Sequence, residues 1–126
     1  MAAIKKWAAP EKTLAAVRTA AEGGDLAAQC VLGVCYQFGV KGAPNDEALA
    51  AAWFGRAAAG NVAQAQFGLA TIHERGEGGL AVNDAEAARL YRLAADAGLA
   101  DAQFNLGNGY RDGRGVRKDE AEAARL

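Results

Sequence analysis

The 126-residue sequence contains no serine, two prolines, two cysteines, one histidine and one methionine. Without serine, the nucleophile motifs G-x-S-x-G and S-x-x-K are excluded. A single histidine leaves no cluster of ligands at zinc-site spacing, so no metal is expected. Cys30 and Cys35 lie five positions apart in a helical stretch, about 140° around the axis, and their side chains diverge. An intrahelical disulfide is therefore not expected. The pair reads as small core residues in a reducing compartment, with redox or metal use as the lesser alternative. No stretch approaches the roughly 18 apolar residues of a bilayer span. The segment Met1 to Pro10 carries Lys5 and Lys6 but lacks the apolar run of a secretory signal. A net charge of −1 offers no general attraction to nucleic acid or to an anionic membrane. These absences point to the cytoplasm, with no cofactor, no nucleic-acid partner and no membrane insertion.

What is abundant is small. There are 33 alanines and 16 glycines. Alanine is the best helix former and glycine among the worst, so short helices punctuated by turns are expected. Glycines interrupt every long stretch, which excludes one extended coiled coil. They do not fall at every third position, which excludes collagen. Hydrophobic residues make up 52% of the chain, too many for a disordered segment.

The sequence repeats. Ala28-Gln29-Cys30-Val31-Leu32-Gly33, Ala65-Gln66-Phe67-Gly68-Leu69-Ala70 and Ala102-Gln103-Phe104-Asn105-Leu106-Gly107 share the pattern Ala-Gln-x-x-Leu-small at a spacing of 37. Tyr36, His73 and Tyr110 keep that spacing, and so do Gly39, Gly76 and Gly113. Trp53-Phe54 aligns with Leu90-Tyr91, and Ala57-Ala58 with Ala94-Ala95. Each unit reads as two helices. Helix A is expected over 25–38, 63–75 and 101–112; helix B over 46–59, 83–97 and from Lys118 to the end, preceded by a partial helix B over 11–22. Gly24, Asn61 and Gly98 suit left-handed residues closing helix B. Asp46, Asn83 and Asp119 suit its N-caps. Glycine turns at 39–42, 76–79 and 113–115 let successive helices fold back.

Repeat three then reads Ala102-Gln103-Phe104-Asn105-Leu106-Gly107, Tyr110, Gly113, Gly115-Val116, Asp119 and Ala123. This is very similar to the SEL-1-like repeat, a relative of the tetratricopeptide repeat. The resemblance covers nearly everything after Thr13. Repeat two departs from the pattern at Ala70 and His73, and repeat one lacks the G-x-G-V turn. The resemblance implies an all-α fold, a right-handed α-solenoid of stacked antiparallel helix pairs. The expected organisation is a single solenoid domain over 1–126, with a partial unit at 11–24, repeats at 25–61 and 62–98, and an incomplete repeat at 99–126. Leu126 falls at the Trp53 position, before the expected A-A-x-x-G ending. The sequence thus reads as stopping in mid-helix, with an uncapped C-terminal face expected to self-associate.

No catalytic residues are expected. His73 stands where its neighbours have tyrosine, which favours packing. Gly76-Glu77-Gly78-Gly79 lacks the preceding strand and the G-K-[ST] of a phosphate loop and reads as a turn. Asp84, Glu86, Asp119, Glu120 and Glu122 are first-turn helix charges. Arg111, Arg114, Arg117 and Lys118 form a basic cluster, either a solvated turn or a contact for an acidic partner. The positions that differ between units are more informative. Val31, Gly68 and Asn105 are equivalent, as are Val34, Thr71 and Asn108, then Gln37, Glu74 and Arg111, then Phe38, Arg75 and Asp112. Most share one face of helix A, which by resemblance lines the concave groove of such solenoids. The candidate partner-binding residues are Val34, Gln37, Thr71, Glu74, Asn105, Asn108 and Arg111, against the alternative that they are merely exposed and unconstrained. The resemblance implies a non-catalytic scaffold or adaptor for a protein or peptide. A β-lactam-binding or hydrolysing enzyme and an RNA-binding helical repeat are the alternatives, the former disfavoured by the scarcity of cysteine.

Overall fold

A computed structural model describes residues 2–77, 81–115, 119, 122 and 123. The described chain is all helix and turn: α1 (Ala2–Ala8), α2 (Leu14–Glu22), α3 (Leu26–Phe38), α4 (Glu47–Ala59), α5 (Ala63–Arg75), α6 (Asp84–Asp96) and α7 (Ala100–Asp112). From α2 to α7 each helix packs on the next, giving an all-α repeat solenoid. In repeat terms α3, α5 and α7 are A helices, and α2, α4 and α6 are B helices. The B helix of the incomplete last repeat, expected from Lys118 onward, lies largely outside the described residues, as does the end expected to self-associate.

Local chemistry repeats along with the sequence. Each B helix ends by turning its chain through a left-handed residue, Gly24 at φ +101°, Asn61 at +67° or Gly98 at +95°. The next residue then donates its N–H back to the carbonyl of Ala20, Ala57 or Ala94. Each A helix ends at a left-handed glycine, Gly39, Gly76 or Gly113. The entry to helix B is tied twice. The side chains of Asp46, Asn83 and Asp119 accept from the N–H of Leu49, Glu86 and Glu122 at 3.0–3.1 Å. Their own N–H groups donate to the carbonyls of Tyr36, His73 and Tyr110 at 2.8–2.9 Å. These caps satisfy backbone groups that a helix end would otherwise leave open.

The core is built from close approach around small residues. Ala28, Ala50, Ala57, Ala65, Ala94 and Ala102 are fully buried, with Phe54, Leu32, Ile72, Leu90 and Leu106 filling between layers. Cys30 and Cys35 are buried and unpaired, and burial lifts the Cys30 thiol to about 11. Gln29 and Gln103 tie one unit to the one before it. Their Nε2 atoms donate to the carbonyls of Ala21 and Ala95 at 3.1 and 3.2 Å.

Helix α1 is not part of the repeat pattern. It places Ile4 and Trp7 against the first core cluster and packs on α3. Lys41, itself in a left-handed conformation, donates from Nζ to the carbonyls of Ala9 and Lys12 at 2.8 and 2.5 Å. Those bonds tie the end of α1 to the loop after α3, and α1 covers the start of the stack.

Candidate partner-binding groove

Phe54 decides the geometry of the A-helix face. It rises from α4 and lies between α3 and α5, opposite a glycine on each. A Cβ added at Gly33 would lie 2.7 Å from Phe54 Cδ1, and one at Gly68 would lie 2.8 Å from Cζ. Both glycines therefore have a packing reason: the ring fills the space their side chains would take. In the next interval Tyr91 takes the place of Phe54, and Ala70 and Asn105 take the places of the two glycines.

Outside the Phe54 ring, the strip between α3 and α5 stays open. It forms a groove of about 360 Å³. Phe54 is its floor, Phe38 and Phe67 are apolar walls, and Thr71 and Asn105 supply polar groups. Of the residues expected from sequence to meet a partner, Val34, Gln37, Thr71, Glu74 and Asn105 all line this groove. Asn108 and Arg111 do not. They lie farther along the stack on α7, where Arg111 faces solvent beside Asp112 at 3.4 Å. Phe38 and Arg75 were named as variable positions but not as candidates, and Phe67 and Gln64 were not expected at the site. Phe67 holds the position of Cys30, and its ring stands 5.7 Å from that of Tyr91.

The charges at the rim are internally compensated. Arg75 pairs with Glu77 at 3.2 Å, and Glu74 approaches Arg114 at 3.8 Å. All are at least partly exposed, so these pairs add little stability, but they leave the groove without an excess of either sign. Thr71 turns its hydroxyl back onto the Gly68 carbonyl at 2.7 Å. Below the rim, burial and the nearby Glu77 push the Glu47 carboxyl above its usual range, partly offset by Arg75. No group of three or more metal-ligating side chains occurs among the described residues. Nor is any of the described helices long and apolar enough to cross a membrane.

Repeats two and three differ in one further respect. Arg18 donates to the Tyr36 hydroxyl at 3.1 Å and Arg92 to the Tyr110 hydroxyl at 2.5 Å, both across 18 positions. The residues at the corresponding places in between are Gly55 and His73, so the arginine and the tyrosine are exchanged together. His73 is half-buried in the packing place the tyrosines occupy elsewhere.

The Sel1 repeat family model matches residues 26–62, 63–99 and 100–126. The chain belongs to the Sel1 repeat family. Its fold is similar to the crystal structure of a Sel1 repeat protein from Oxalobacter formigenes, with a TM-score of 0.84 and 31% identity over 92% of this chain and 87% of that one. It is also similar to a protective antigen present in uropathogenic Escherichia coli strains that displays an SLR fold, with a TM-score of 0.86 and 33% identity. That match takes in 98% of this chain but only 27% of the antigen. No curated protein matches the sequence. Sel1 repeats typically serve as protein–protein interaction modules.

Proposed function

We propose that this Sel1 repeat chain is a non-catalytic scaffold that holds a peptide or protein partner in the groove between α3 and α5. The observation that carries this reading is the open groove of about 360 Å³ between α3 and α5. The groove is floored by Phe54 and walled by Phe38 and Phe67. Pockets of this size accept one bulky side chain, and aromatic walls supply most of the energy of such contacts. With both rim charges already paired, the complementary anchor is an uncharged apolar side chain. The groups of Gln37, Thr71 and Asn105 are placed to hydrogen-bond the backbone on either side of it.

A photo-reactive residue at position 38, compared with one at the exposed Ala52 on α4, tests the location. The proposal expects cross-links to one defined partner from position 38 alone. Affinity for that partner should fall at least about fivefold in Phe38→Ala, a loss typical of a contact residue, with no change in the unfolding midpoint. Asn108→Ala/Arg111→Ala should leave affinity near the parent value. Equal cross-linking from both positions, or unchanged affinity in Phe38→Ala, would refute the groove as the site.

A further inference from the structure

The interval between α5 and α7 is filled where the preceding one is open, and it contains a polar feature of its own. Tyr91 occupies the place of Phe54, and its side chain is 98% buried, with a relative exposure of 2%. The hydroxyl reaches a small cavity of about 10 Å³, lined on its polar side by Glu74, Asp84, Asn105 and Arg114. Asn105 and Glu74 stand close enough to act on it as hydrogen-bonding groups, but neither completes a hydrogen bond of full geometry with the buried oxygen. Burial raises this phenol to about 12, the Asn105 amide acting in the opposite direction, so the group is a neutral O–H donor at any physiological pH. On one flank the loop after α7 presses on the first turn of α6. A Cβ at Gly115 would collide with the Asp84 carbonyl oxygen, so only glycine lets the two backbones approach this closely.

A buried hydroxyl without a partner is costly, and native structures satisfy such groups with protein or with ordered water. The cavity is of the size that holds a single water, which needs about 10–15 Å³ and two to four polar partners. The partners are present: the Tyr91 hydroxyl, the Asn105 amide and the Glu74 carboxylate, which is approached by the Arg114 guanidinium at 3.8 Å. The guanidinium disfavours a cation, and the volume excludes a larger ligand.

We propose that this cavity is a binding site for one water molecule, which joins the Tyr91 hydroxyl to the Asn105 amide and the Glu74 carboxylate. Asn105 and Glu74 also line the groove between α3 and α5. The water therefore sits behind the groove wall and fixes which end of the Asn105 amide faces outward. Tyr91 acts as a positioning residue, touching no partner itself.

The test is a crystal structure of the full chain at atomic resolution, alongside Tyr91→Phe, which keeps the ring and removes only the oxygen. The expected result is one ordered water within hydrogen-bonding distance of Tyr91 Oη and of Asn105 or Glu74 in the parent, lost in the phenylalanine variant. A dry cavity, or a direct hydrogen bond from Tyr91 to Asn105 or Glu74, would overturn the proposal. So would a water retained unchanged in Tyr91→Phe. In solution, water-relaxation NMR should show one long-lived internal water that disappears in the variant; equal signals from the two proteins would count against the site. Neither readout depends on a partner, so a negative result here leaves the groove assignment standing on its own cross-linking test.

Discussion

Gly33→Ala and Gly55→Ala make the same chemical change in neighbouring helices, in opposite surroundings. Each removes a helix-interior glycine, which by propensity alone favours the folded state by about 1 kcal/mol. At Gly55 an added Cβ meets nothing within 4 Å, whereas at Gly33 it meets the Phe54 ring at 2.7 Å. Retreat of the ring is limited on its other side by the bare backbone of Gly68, where a Cβ would lie 2.8 Å from it. Overpacking of this kind costs about 1–3 kcal/mol. The propensity gain cancels when the two variants are compared, so their difference isolates the contact. Gly55→Ala should unfold at higher urea than the parent, and Gly33→Ala should fall below Gly55→Ala by about 1–3 kcal/mol. Adding Phe54→Leu to Gly33→Ala should cost less than Phe54→Leu alone, since the smaller side chain relieves the clash it would otherwise share. Urea unfolding followed by far-UV circular dichroism reads all five proteins. If Gly33→Ala matched Gly55→Ala in stability, the close approach of Phe54 to α3 would not exist and the reasoning would fail.

Two other outcomes are expected. Grafting the missing pair as Gly55→Arg with His73→Tyr should rebuild the contact made by Arg18 with Tyr36; a double-mutant cycle should give a favourable coupling of about 0.5–1.5 kcal/mol, and zero coupling would mean that the repeats are not interchangeable there. Glu47 is raised above its ordinary value of 4.5, chiefly by burial and then by Glu77. Its folded form holds the proton more tightly than its unfolded form, so its contribution favours folding at acid pH and is lost as pH rises from about 4.5 through the higher folded value. Glu47→Gln should therefore gain stability relative to the parent between acid and neutral pH, and a parallel pair of pH profiles would refute the shift.

Much of the fold was legible because it is written in local chemistry. The left-handed conformations at Gly24, Asn61 and Gly98 and the caps at Asp46, Asn83 and Asp119 depend on residues within a few positions of one another. The boundaries of α5 agreed with expectation, and α3 and α7 differ from it by one residue at their starts. Helix α1 was not foreseen, since seven residues are too few to hold a helix alone and it is held by Trp7, Ile4 and the distant Lys41. The candidate groove was half legible. Comparing units picked out Val34, Gln37, Thr71, Glu74 and Asn105, which line the groove, but a face is not a hollow. The floor of the hollow is Phe54, reaching in from another helix, and the bare Gly68 that the ring lies against looked like mere variation. Asn108 and Arg111 share that face by register yet lie one interval beyond the opening.

The Phe54 ring also bears on how such a chain could have been assembled. Repeat proteins are often pictured as interchangeable tiles, each gained or lost by duplication. Here one side chain of the first unit needs a glycine behind it in its own unit and another in the unit that follows. A tile carrying phenylalanine at this place can only be laid beside one that offers a bare backbone, and the second unit, with Tyr91 against Ala70 and Asn105, follows a different rule. The heredity of the array is thus in neighbouring pairs: the unit that copies or shuffles without damage is the joint between two repeats, not the repeat itself.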